Sequence, residues 1–235
     1  MKPDDSSLHS FELAAVERQA LNLLNRASAL DVFPTPVEDI LAAAKLRVAP
    51  KGMFDTAAFL AFVNKKTAQA AQSLKSALSK VFGLYDANEQ IIHIDDSVVP
   101  SKQTFLKLHE VGHHELPTHR KIFSLFQDCE RTLAPTVADQ FEREANNFAR
   151  FALFQGDGYR RMAADMAMGI KTPMALAKKF GASQYASARE FARTNHRQCV
   201  VLILEPIEFV PDGQTYANVL RIEASPFFAK RTRLS

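Results

Sequence analysis

The chain has 235 residues, enough for one sizeable domain or a domain with a small appendage and too few for a large multidomain machine. Apolar residues make up 47% and charged residues 23%, with 11 prolines and 8 glycines, which excludes a disordered or fibrous chain. With 29 basic against 26 acidic side chains the net charge is only +3, so charge alone asks for neither nucleic acid nor a membrane surface.

The opening MKPDDSSLHS carries acids where a secretion signal needs a basic and then apolar run. No stretch of about 18 apolar residues follows, so the expectation is a cytoplasmic protein without a membrane span. Apolar positions Phe11, Leu13, Ala14, Leu21, Leu23 and Leu24 predict a helix within residues 8–29. TPVEDILAAAK predicts a second, with Thr35 as N-cap, Pro36 at the first helical position and Glu38 three residues after the cap. LRVAP then reads as a short strand. Residues 55–81, rich in Ala, Lys, Gln and Leu, predict mainly helix.

VFGLYD and QIIHIDD flank Ala87-Asn88-Glu89 and predict a hairpin. Residues 101–116 predict a helix that starts at a serine after Pro100 and is stopped by Pro117. A further helix over 136–154 has Phe141, Ala145, Phe148, Ala149 and Ala152 on its apolar face and ends at QGDG. Shorter helices run to Thr194, broken at Gly181, before CVVLILE and YANVLRIEA read as strands around Pro211-Asp212-Gly213. That change places a boundary near 195, giving a domain of 1–195 and a β extension of 196–235. Cys129 and Cys199 have no metal-ligand or redox spacing and read as free structural thiols.

The segment His109-Glu110-Val111-Gly112-His113 carries the chemistry. Two histidines at i and i+4 project from one face of a helix and can grip one metal ion, leaving Glu110 beside a water activated there. Chance placement of 7 histidines and 13 glutamates would yield about 0.01 such matches in a chain of this length. Four of those histidines, His109, His113, His114 and His119, fall within eleven residues. A catalytic site needs a third protein ligand, and Glu142 in FEREANNFA is the candidate, with Asn146 one turn later placed to orient ligands. Glu144 lies about 200° around the helix from Glu142 and is the poorer candidate. His114, His119 and Tyr159 are oxyanion-donor candidates, none singled out by spacing; His114 reads as a helix-end residue, His119 as a loop residue or an outer support of the site. QIIHID could lie at the cleft rim and pair with an extended substrate.

These residues resemble the ImmA/IrrE metallopeptidases, bacterial and phage-associated enzymes of the gluzincin-like zincin group. Three features carry the resemblance over about residues 10–195: the Pro36 to Val48 helix and strand, IIHID leading into the HEVGH helix, and the ExEANxFA pattern from Glu142 to Ala149. It implies a metal held by His109, His113 and Glu142, zinc with manganese possible, and Glu110 as catalytic base. The substrates it implies are helix-turn-helix repressors of the XRE type, whose cleavage relieves repression. The second motif departs from the family's proline-ended finish, reading FARFALFQG, and by length the expectation is a chain without the large sensor-like C-terminal domain of the radiation-response branch.

The expected architecture is α+β and zincin-like, mostly helical, with a small sheet beside the HEVGH helix and a short C-terminal β extension. A competing class comes from residues 171–194, where a helix, the Gly181 turn and a second helix resemble a helix-turn-helix with Lys178, Lys179, Arg189 and Arg193 adding charge. That reading makes the protein a DNA-binding regulator with a structural metal. A packing unit that supports the peptidase is preferred to it. A third reading is an antirepressor that binds the repressor without cutting it.

Overall fold

The computed structural model describes residues 6–50, 83–86, 90–94, 98–120, 135–209 and 215–232. The helix expected over 55–81, the hairpin connection 87–89, the turn at 211–213 and Cys129 lie outside the described residues. The chain divides into two compact units, residues 1–156 and 157–235.

In the first unit α1 (Ser10–Arg26) and α2 (Val37–Ala43) lead into β1 (Arg47–Val48). The stripe that α1 buries is Val16, Ala20, Leu23 and Leu24; Phe11 and Ala14, expected on that face, are exposed in the first turns of the helix. Thr35 is not an N-cap. Pro36 takes that position without a side-chain cap, and the Thr35 hydroxyl is spent on a tertiary bond, donating to the Leu153 carbonyl at 2.8 Å.

β2 (Gly83–Asp86) and β3 (Ile91–Ile94) pair antiparallel, as the hairpin reading expects, and β1 joins β3 in parallel, giving the order β1-β3-β2. β3 is therefore the central strand, with its main chain taken on both sides over Ile91 and Ile92. Over Ile91 and Ile92 this leaves no edge for the substrate backbone expected along QIIHID, whereas among the described residues His93 and Ile94 pair with β2 alone.

The sheet packs beside α3 (Pro100–Glu115), which begins on Pro100 itself, where a missing N–H costs nothing. It ends with Leu116 extended, the conformation a residue before proline is pushed into, and helix resumes over 117–120. Arg26 ties the end of α1 to the end of α3 through Glu115 at 2.8 Å. α4 (Pro135–Phe154) lies against both α1 and α3 and buries Phe141, Ala145, Phe148, Ala149 and Ala152, the predicted stripe. The chain leaves α4 through Gly156 at φ +59, where a Cβ would sit 2.9 Å from Leu21, so glycine is required by conformation and by space.

The second unit holds α5 (Gly158–Ala164), α6 (Lys171–Phe180) and α7 (Gln184–Thr194), the last capped by Ser183 accepting from the Ala186 N–H. α6, Gly181 and α7 form the expected helix–turn–helix pair. β4 (Val200–Leu204) and β7 (Val219–Ala224) form an antiparallel ribbon against α7, and β5 (Glu208–Phe209) pairs with β6 (Thr215–Tyr216) before α8 (Pro226–Thr232). Tyr159, Leu176, Phe180 and Phe191 fill the core of this unit, and Cys199 is a free, buried thiol.

The whole is mostly helical with small sheets, an α+β arrangement. Among the described residues no helix is long and apolar enough to cross a membrane.

Candidate metal centre

The second half of α3 and its cap are buried on every side, from Leu108 to Leu116, although five of those nine residues are polar. A helix buried all round is normally apolar; His109, Glu110 and His113 inside it need partners to be tolerated there. α4 supplies them. Gly112 permits its approach, because a Cβ at that position would lie 3.1 Å from Phe148 Cβ and 3.3 Å from Ala145 Cα. The glycine of HEVGH thus sets how near α4 and its Glu142 come to the two histidines.

The i, i+4 spacing places the rings of His109 and His113 edge to face at 4.8 Å, with their Nε2 atoms 3.2 Å apart. Glu142 Oε2 lies 3.4 Å from His109 Nε2, and Oε1 lies 3.6 Å from His113 Nε2. Among the described residues these three offer ligand atoms all within 4.8 Å of one another. Glu142 keeps 40% of its side chain exposed against 11% and 8% for the histidines, so the group opens to solvent on the carboxylate side.

Asn146, one turn beyond Glu142, turns its Oδ1 to His109 Nδ1 at 3.1 Å, the orienting contact its spacing suggests. Because an amide oxygen only accepts, His109 carries a hydrogen on Nδ1, and in its neutral form the Nε2 lone pair faces the cluster.

Two imidazole nitrogens and a carboxylate at these distances share either a hydrogen or a metal ion, and the carboxylate favours a positive charge beside it. With protons alone, burial works against a charged His109, but the bond to Glu142 and the charges of Glu142 and Glu110 overcome it and lift His109 to about 9. Burial, helped by the charges of His109 and His119, pushes His113 down to about 4. Burial would raise Glu142, yet the two histidines hold its carboxyl far below the ordinary range. The donor set of two imidazoles and one carboxylate, with an open side, fits a divalent ion of the zinc type and leaves a coordination position for water or substrate.

Glu110 is buried on the same helix, one residue after His109, and its charge reaches that ring. Glu144, the alternative ligand, points elsewhere: its Oε2 meets His119 Nε2 at 2.9 Å, consistent with its position around the helix. His114 is buried at the end of α3, and burial lowers its pKa. Tyr159 belongs to the second unit, where its hydroxyl donates to the Ser187 carbonyl at 2.8 Å. Sequence reasoning weighed Glu144 only as the poorer ligand and gave Gln140 no role; the unused signal is Pro117, four residues after His113, whose fold-back brings His119 to Glu144.

No curated protein matches the chain. The family Peptidase M78, described as the IrrE N-terminal-like domain, matches residues 63–190, more than half of the sequence, a span that contains α3, α4 and the whole histidine and glutamate cluster. The chain is a member of this peptidase family, and His109, His113 and Glu142 come together within the matched span.

Proposed function

We propose that the protein is a metal-dependent endopeptidase that cuts a cytoplasmic regulatory protein, an XRE-type helix-turn-helix repressor, and so relieves repression. The observation that carries this reading is the convergence of His109, His113 and Glu142, with Glu110 buried alongside, in a chain of the M78 family. Zinc is the preferred ion, and manganese fits the same donors.

A bound divalent ion supplies Lewis acidity, polarising a peptide carbonyl and lowering the pKa of a water. His109 and His113 would hold it through Nε2, and Glu142 would complete the set through its carboxylate. The Glu110 carboxylate takes the proton from the attacking water, keeps it on an oxygen while the C–N bond weakens, and delivers it to the departing amine nitrogen. Burial of Glu110 keeps bulk water from competing for that carboxylate.

The helix pair α6–α7 serves this reading as support rather than as a DNA reader. Arg189 and Arg193, which would have to meet phosphates, are committed to Glu223 at 2.7 and 3.0 Å.

The test is to incubate metal-loaded wild type and Glu110→Gln with lysate of the source cells and map new N-termini by mass spectrometry. A small set of wild-type-only cuts in a helix-turn-helix repressor is the expected result. Identical termini from both proteins, with metal bound in both, would replace cleavage by a binding or antirepressor role.

A further inference from the structure

Behind His113 a line of polar groups runs away from the cluster. His113 Nδ1 lies 3.1 Å from His119 Nδ1, and His119 Nε2 lies 2.9 Å from Glu144 Oε2. Gln140 Nε2 donates to Glu144 Oε1 at 2.9 Å and to Glu12 Oε1 at 3.1 Å, and Glu12 Oε2 accepts the His9 N–H at 2.9 Å. His119 is fully buried, with its ring stacked on Phe141 at 4.0 Å and 18°. The fold accounts for the contact: Pro117 stops α3, the chain turns, and the short helix over 117–120 carries His119 back between α3 and α4.

A neutral imidazole that offers Nε2 to an ion must carry its hydrogen on Nδ1. For His113, the group facing that hydrogen is His119 Nδ1, which accepts it only when the hydrogen of His119 sits on Nε2. Glu144, an acceptor on both oxygens when ionised, fixes it there, and Gln140 occupies the other carboxylate oxygen so that Oε2 stays turned to His119. One oxygen on α4 therefore dictates, through two rings, which nitrogen of His113 faces Glu142.

We propose that His119 and Glu144 are positioning residues: a buried imidazole–carboxylate relay that sets the tautomer and ring orientation of His113 toward the metal ion. This rests on the reading that His109, His113 and Glu142 hold that ion. His109 has the shorter counterpart in Asn146, so the two histidines are oriented by different devices on the same helix, α4.

The test compares zinc affinity by chelator competition and the visible spectrum of the cobalt-loaded protein in wild type, His119→Phe, Glu144→Ala and Glu144→Gln. His119→Phe keeps the stack on Phe141 and removes the acceptor; Glu144→Gln keeps an acceptor oxygen and removes the charge. Loss of an outer-shell partner of this kind costs about 10- to 100-fold in metal affinity. That loss, with a changed cobalt spectrum, is expected for His119→Phe and Glu144→Ala, with Glu144→Gln recovering most of it and the double variant His119→Phe/Glu144→Ala no worse than His119→Phe alone. Wild-type affinity and an unchanged spectrum in the folded variants would overturn the relay while leaving the metal centre standing. Failure of the wild type itself to bind zinc or cobalt would overturn the metal centre. If His119→Phe does not fold, the Ala and Gln variants of Glu144, a partly exposed side chain, decide the matter by the same readings.

Discussion

Each compact unit encloses a cluster of charged side chains, and the two clusters are opposite in kind. In the second unit Glu223 sits among Arg189, Arg193 and Arg221 at 2.7 to 3.0 Å, and every contact is between opposite charges. Burial would raise this carboxyl, but the arginines hold it below its usual range; the cluster is complete as it stands. In the first unit His109 Nε2 and His113 Nε2 face each other at 3.2 Å with Glu142 beside them, and with protons alone the only balance for that carboxylate within the trio is the charge that it holds on His109. The cluster of the second unit has the make-up of a staple, and that of the first unit has the donor set that could hold a metal ion. Self-sufficiency marks an ion cluster as structural, and a shared need for positive charge marks one as a site.

The sharpest way to break this comparison is Glu142→Ala. It removes one of three ligands and is expected to weaken zinc binding at least ~1,000-fold, about 4 kcal/mol, as read by chelator competition. Zinc at 100 times its wild-type Kd should stabilise the wild type by about 2.7 kcal/mol in thermal unfolding and leave Glu142→Ala unmoved. Equal thermal shifts in both proteins would locate the ion elsewhere. Next in size is Gly112→Val, which forces a branched side chain into the 3.1 Å gap beside Phe148. It should cost about 2–3 kcal/mol in denaturant unfolding and also weaken zinc binding, because α4 must retreat and take Glu142 with it. Lost stability with unchanged zinc affinity would separate helix packing from the site.

The first cluster was legible in the sequence and the second was not, for a physical reason. The i, i+4 spacing of His109 and His113 fixes their common face by helix geometry alone. The apolar stripe of Phe141, Ala145 and Phe148 fixes which side of α4 meets α3, so Glu142 and Asn146 follow at the rim of that stripe. Contacts that depend on the chain returning from a distance leave no such trace. Thr35 has the sequence of an N-cap, yet its hydroxyl reaches Leu153, 118 positions away. The angle of Glu144 around the helix makes it the poorer ligand candidate, but its pairing with His119 depends on the fold-back at Pro117. The centrality of β3 depends on β1, more than 40 residues earlier, supplying the parallel partner. Glu223, 30 positions from Arg193, looked like any strand glutamate.

Glu223→Gln tests the staple, with the smallest effect. The carboxylate is 12% exposed and two of its arginines are 21% and 22% exposed, so water partly replaces what is lost, and a cost of about 1–2 kcal/mol is expected. Its pH dependence identifies the cause. A carboxyl held below its ordinary value of 4.5 in the folded protein binds its proton more readily when unfolded, so its stabilisation is full above about pH 4.5 and drains away as pH falls through the folded value. Glutamine cannot titrate. The stability gap between wild type and Glu223→Gln should therefore be constant near neutrality and close in acid, while zinc affinity at neutral pH stays the same in both. A gap that persists undiminished in acid would assign the effect to packing of the side chain, and a fall in zinc affinity would show that the two clusters are not independent.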